Sequence, residues 1–135
     1  MEKQGEGSIL NVASSAGLFP AGPYMATYYA TKSYVTSLTR AVALELKEKK
    51  SNVYVGALCP GPVDTEFNKV ANVEFAIPSI TPTYCAAYAI RKMEKRKIVI
   101  VPKNKMKVLA FISRVLPQSL VIRMTARQQK KKRSW

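Results

Sequence analysis

The chain holds no histidine, two cysteines, one tryptophan and only 8 acidic side chains in 135 residues. With no imidazole, and with cysteines and carboxylates unclustered, the ligand set of a transition-metal site is missing. Cys59 and Cys85 lie in apolar surroundings, which predicts buried thiols and no disulfide. No uninterrupted apolar stretch reaches the ~18 to 20 residues that a membrane-spanning helix requires. The N-terminus carries Glu2, Lys3 and Glu6 ahead of a short apolar run, unlike a secretory signal, so a cytoplasmic setting is expected. No internal repeat is present.

What is there suffices for one folded domain: 47% of the residues are hydrophobic, enough for a core. The formal net charge of +14 is unevenly spread. Residues 1–90 carry seven basic and seven acidic side chains, whereas the last 45 carry fifteen basic ones and only Glu94. The positive charge is therefore a property of the tail.

Hydrophobic patterning divides the chain into alternating elements. Ser8 to Ala13 reads as a short buried strand. Gly17, Pro20 and Gly22 break the next stretch into a loop. A helix is predicted from near Pro23 to about Lys49, with Leu38, Val42 and Leu46 at helical spacing and lysines at its C-terminal end. Asn52 to Leu58 is β-branched and aromatic, a second strand. Two prolines break the chain at Cys59 to Pro62, Thr65 to Val70 reads as a short helix, and residues 71–81 as an apolar loop. Thr81 and Pro82 open a further helix that runs to about Lys95, and Lys97 to Val101 is a third strand. This alternation predicts an α/β fold with a parallel sheet and right-handed crossovers.

Ser15, Tyr28 and Lys32 are the residues with the clearest chemistry. Tyr28 and Lys32 are four apart and share one helix face. A free phenol has a pKa of about 10 and is a poor base near neutrality. A neighbouring ammonium stabilises the phenolate, and a serine hydroxyl can hold a substrate oxygen while a proton moves. Nothing in this set stores a hydride, so redox chemistry would need a nicotinamide cofactor. The Tyr-x-x-x-Lys spacing alone discriminates little. It recurs at Tyr88 and Lys92, where Phe75 stands at the position matching Ser15, so that copy reads as a helix-face tyrosine and a solvated lysine.

Three segments together carry a resemblance. Gly7-Ser-Ile-Leu-Asn-Val-Ala-Ser-Ser15, Tyr28-Tyr-Ala-Thr-Lys32 and Cys59-Pro-Gly-Pro-Val-Asp-Thr65 occur in the order and at the spacings of the short-chain dehydrogenase/reductase family. The chain resembles that family over roughly residues 1–101. The resemblance implies a doubly wound, Rossmann-like parallel sheet, here as a fragment of about three strands with helices. It implies that Tyr28 is the general acid/base and that Lys32 tunes it and contacts the nicotinamide ribose. Ser15, which has the family's spacing to the tyrosine where Ser14 does not, would orient the substrate carbonyl. Pro60, Gly61, Val63 and Thr65 match the loop that closes over the nicotinamide. The implied cofactor is NAD or NADP, with NADP favoured, and the implied substrate is a small carbonyl or alcohol. The apolar residues 71–81 hint that it is lipophilic.

The departures matter as much. The family's Gly-rich turn between a first strand and helix, which cradles the pyrophosphate, has no counterpart here, because Gly5-Glu-Gly7 precedes a strand. The residue that selects NAD over NADP and the family's helix asparagine also have no counterpart. The expectation is the C-terminal part of such a domain over residues 1–102, with Met1 internal to a longer protein. On that reading the isolated chain is inactive, holds cofactor weakly, exposes an open edge on its first strand and forms a homo-oligomer or aggregates.

Residues 103–135 are expected to form a basic extension of two amphipathic helices separated at Pro117. Basic residues beside Met106, Leu109, Phe111, Ile112 and Val115 suit an anionic membrane surface, giving a peripheral location. The competing reading packs this tail on its own domain or on a partner subunit, with solvated lysines. Nucleic-acid binding is the weakest of the three, since aromatics do not interleave with the basic residues.

Overall fold

The computed structural model describes residues 1–66 and 78–132, the last two by their backbone alone. After a single 3-10 turn at Glu2–Gln4, the chain forms β1 (Gly7–Val12), a 3-10 turn at Ser15–Leu18 and the long helix α1 (Ala26–Glu48). β2 (Val53–Leu58) follows, then α2 (Pro82–Glu94), β3 (Val99–Ile100), α3 (Asn104–Val115) and α4 (Gln118–Lys132). The three strands lie side by side in sequence order, all parallel. Gly7 pairs with Val53 and Val12 with Leu58, so β1 and β2 run in full register, whereas β3 pairs only with Ala57 and Leu58. The expected α/β fold, a Rossmann-like fragment of three parallel strands, is the fold observed.

Every residue of β2 is buried, as expected for a central parallel strand covered on both faces. On one face Ala13, Ala57, Cys59, Val101 and Met106 form a core against Val35 of α1 and Leu109 of α3. On the other, Leu58, Cys85, Ala89 and Ile100 pack with Tyr88 and Met93 of α2. Met106 thus draws the first turn of the tail into the core, so packing does not stop at residue 102. Both cysteines are free and buried.

The face that α1 turns to the sheet is not its leucine row. Thr36 and Thr39 are buried, while Leu38 is exposed. The threonines bury at little cost because each hydroxyl donates back to a carbonyl one turn earlier, Thr36 to Lys32 (2.9 Å) and Thr39 to Val35 (2.7 Å). Asn11 of β1 adds a bond from Nδ2 to Thr39 Oγ1 at 2.9 Å. α1 also starts later than Pro23. Tyr24 takes a left-handed φ of 67°, and the Met25 amide donates to the Gly22 carbonyl (3.0 Å), so a tight turn stands where a first helical turn was expected.

α2 begins as its sequence predicts, with Thr81 capping the Tyr84 amide (3.2 Å) and Pro82 in the first turn. β3 is shorter than Lys97 to Val101, although the carbonyls of Ile98 and Ile100 still accept from Ala57 and Cys59, each at 2.7 Å. The two tail helices are separated at Pro117 as expected. The short helix expected at Thr65 to Val70 and the apolar loop at 71–81 fall largely outside the described residues.

Candidate active site

β1 and β2 end side by side, and the two loops that leave them are bonded together. The Ser15 amide donates to the Pro60 carbonyl at 2.7 Å, and the Ala13 amide to the Leu58 carbonyl at 2.8 Å. The second loop is held in turn by Ile80. The Asp64 amide donates to the Ile80 carbonyl (2.9 Å), the Ile80 amide donates to the Pro62 carbonyl (3.0 Å), and Val63 bridges to Ile80. The crevice outside the C-terminal ends of parallel strands is where such sheets place ligands.

The two adjacent serines part here. Ser14 is buried, and its Oγ accepts from the Ala16 amide (3.1 Å), which makes it the cap of the 3-10 turn. Ser15 is one residue into that turn and reaches the crevice. Gly17 allows the turn to lie against α1, since a Cβ there would overlap the Lys32 carbonyl. The start of α1 at Ala26 then puts Tyr28 and Lys32 in its first two turns. Lys32 Nζ donates to the Val12 carbonyl at 3.2 Å and lies 5.8 Å from the centre of the Tyr28 ring. Ser15, Tyr28, Lys32, Pro60, Gly61, Val63 and Thr65 all line one cavity of about 620 Å³, a volume typical of small-molecule sites.

Much of the remaining wall comes from the tail. Met106, Leu109 and Ile112 of α3 and Val121 and Met124 of α4 line the same cavity, which makes it strongly apolar. The tail is fixed there by polar contacts. Gln129 is 3% exposed, and its Nε2 donates to the Tyr29 hydroxyl at 2.8 Å. Tyr29 stands edge-on to the Tyr28 ring, with centroids 6.3 Å apart, and burial pushes its pKa up. A Cβ on Gly22 would overlap the Tyr29 ring, so the glycine makes room for it. Lys130 Nζ lies 5.5 Å over the Tyr24 ring, which ties α4 to the turn before α1 as well.

These tail residues escape a reading that looks for apolar stripes. The buried face of α4 is Val121, Thr125 and Gln129, two of them polar. The signal is their common four-residue spacing. Tyr88 and Lys92 lie on α2 and do not line the cavity. The Tyr88 hydroxyl instead accepts from Lys107 Nζ (3.0 Å), tethering α3 to α2. That bond, above all, pulls the Tyr88 pKa down, with nearby Lys92 and Arg91 adding to it.

Comparison with known proteins decides the ancestry. The family described as short chain dehydrogenase matches over residues 1–74. The chain belongs to the short-chain dehydrogenase family. It is 46% identical over 65 residues to D-beta-hydroxybutyrate dehydrogenase from Rhizobium meliloti (strain 1021), a match covering 48% of this chain and 24% of that protein. Over 134 residues it is 26% identical to very-long-chain 3-oxoacyl-CoA reductase from Anas platyrhynchos, covering 99% of this chain and 41% of the other. The short chain dehydrogenase from Burkholderia cenocepacia J2315, solved in complex with NADP, superposes with a TM-score of 0.72. That superposition covers 91% of this chain and 50% of the other at 21% identity, which speaks to fold alone. This family member therefore spans between a quarter and half the length of these relatives.

Proposed function

We propose that this chain carries the reactive half-site of an NAD(P)-dependent oxidoreductase that interconverts a lipophilic carbonyl and its alcohol. The observation that carries the reading is the shared cavity. One apolar space meets a serine hydroxyl, a phenol, an ammonium and the Pro60 to Thr65 loop. Ser15 would hydrogen-bond the substrate oxygen and fix its direction. Tyr28 would give that oxygen a proton in reduction and take it back in oxidation. Lys32, one helical turn on, would stabilise the phenolate and meet the ribose.

Tyr28, Lys32 and the 60–65 loop fit the nicotinamide end of the cofactor, which when bound supplies or accepts the hydride. Among the described residues, no Gly-rich turn leads from a strand into a helix to meet a pyrophosphate. The chain by itself is therefore expected to hold NADPH or NADH weakly, and micromolar binding by calorimetry would contradict this. NADP remains the favoured form. The apolar walls support a lipophilic substrate, and the exposed Tyr34 and Leu38 on α1 suit a homo-oligomer contact.

Tyr28→Phe tests the chemistry. In an assembly that turns over, it should slow carbonyl reduction by ~10² to 10⁴ while substrate still binds. Retained turnover would refute the role. The substrate class is tested by a ketone series of increasing apolar length, where kcat/KM should rise until the cavity is filled.

A further inference from the structure

The tail helices have two faces, and only one is used by the cavity. On α3, Met106, Ala110 and Ser113 point inward and are buried. Val108, Phe111 and Val115, at the i, i+3, i+7 spacing of a single helical stripe, are 57%, 68% and 72% exposed. On α4, Leu120 and Met124 are exposed one turn apart, and Arg123 and Arg127 are exposed on the same helix. Residues 103–135 contain ten basic and no acidic side chains. Ile112 and Met124 belong to both surfaces, since they line the cavity and are also exposed, which puts them at its rim.

We propose that the outer face of α3 and α4 docks on an anionic lipid surface and that the cavity opens toward that surface. Apolar side chains would enter the headgroup layer while Lys105, Arg114, Arg123 and Arg127 meet lipid phosphates. The charge argues for this occupant. A second copy packed face to face would bring two purely basic tails together, which is repulsive. A nucleic acid would use the charge but gain little from the exposed Phe111 and Val115. Among the described residues no helix is long and apolar enough to cross a membrane, so α3 and α4 would lie along its surface. Docking does not depend on the oxidoreductase reading. Direct entry of a lipophilic substrate from the bilayer does rest on it.

The test is cosedimentation of the full 135-residue chain with vesicles of phosphatidylglycerol and phosphatidylcholine, or of phosphatidylcholine alone. Binding is expected to the first and not the second, and it should fall as salt rises above about 0.1 M. The double substitution Phe111→Ser with Val115→Ser should weaken partitioning at least about tenfold, because both side chains would be withdrawn from lipid. Circular dichroism should be unchanged, since both are exposed. Should that pair unfold the chain, Arg123→Gln with Arg127→Gln gives a second reading, expected to weaken binding and flatten its salt dependence. Leu44→Ser on α1 removes exposed apolar surface elsewhere and should leave binding intact. The proposal is overturned by absence of binding to anionic vesicles. It is also overturned by binding that the Phe111 and Val115 pair does not weaken, or by a dimer that this pair dissolves while vesicles fail to compete. None of these readouts uses turnover or cofactor, so a failed oxidoreductase assignment would leave them untouched.

Discussion

Residues 7–65 reach the cavity from strand ends and the first turns of α1, whereas the tail reaches it from the sides of two helices. The first region is held by backbone: β1 and β2 in full register, and the Ser15 amide on the Pro60 carbonyl. The second is held by side chains, namely Met106 in the core, Gln129 on Tyr29 and Lys107 on Tyr88. Backbone-held groups keep their geometry through most surface substitutions. Side-chain-held walls change with single residues. The reacting groups thus sit on the rigid part and the shape of the cavity on the adjustable part.

The sharpest way to break this comparison is to treat both Tyr-x-x-x-Lys pairs alike. In an active assembly Tyr28→Phe should cost ~10² to 10⁴ in kcat, the span typical of a lost general acid, whereas Tyr88→Phe should leave kcat unchanged. Equal losses would mean that the cavity is not the reaction site. Next in size is Gly17→Ala. The added methyl overlaps the Lys32 carbonyl, which is backbone and cannot swing away. About 1 to 3 kcal/mol of stability should be lost, read as a lower denaturation midpoint. Gly5→Ala is a poor control because of its positive φ, so Ala43→Ser on α1 serves as the neutral comparison.

The unequal legibility of the two regions has the same origin. The strand order and the grouping of Ser15, Tyr28, Lys32 and the 60–65 loop were readable through the resemblance that three spaced segments bear to the short-chain dehydrogenase/reductase family. The cap at Thr81 was readable because its chemistry is local. The burial of Thr36 and Thr39 in place of Leu38 was not, since it depends on partners distant in sequence, Gly17 lying against Thr36 and Asn11 bonding Thr39. The docking of α4 was not readable either. Its buried face is Val121, Thr125 and Gln129, and a buried glutamine becomes favourable only once Tyr29, 100 positions away, supplies a partner.

Gln129→Leu probes that partner directly. The leucine keeps the bulk but leaves the Tyr29 hydroxyl without its donor, at a cost of about 1 to 2 kcal/mol. The expected result is faster proteolysis within α4 with the rest of the chain protected. In an active assembly KM should rise more than kcat falls, because the cavity wall loosens while the reacting groups stay on backbone-held elements. A fall in kcat with KM unchanged would show instead that Tyr29 positions Tyr28, moving part of the tail's role to the rigid side.

The smallest effect separates the two tail tethers by pH. Burial raises the Tyr29 pKa, so the folded chain prefers its neutral form. That contribution to stability is complete below the ordinary phenol value of about 10 and is lost as pH rises through the higher folded value. Lys107 lowers the Tyr88 pKa, so the opposite holds. Its contribution is present above about 10 and fades as pH falls through the lower folded value. Tyr88 is solvent-accessible enough that water and salt screen the pair, and the gain should be no more than a few tenths of a kcal/mol. Absorbance at the phenolate band gives the direct readout. Tyr88→Phe should remove an early-titrating phenol and Tyr29→Phe a late one, and Lys107→Met should move the Tyr88 transition upward. If Lys107→Met leaves that transition in place, α3 is not held to α2 through this bond, and packing at Met106 with the Lys103 bond to the Pro78 carbonyl fixes the start of the tail.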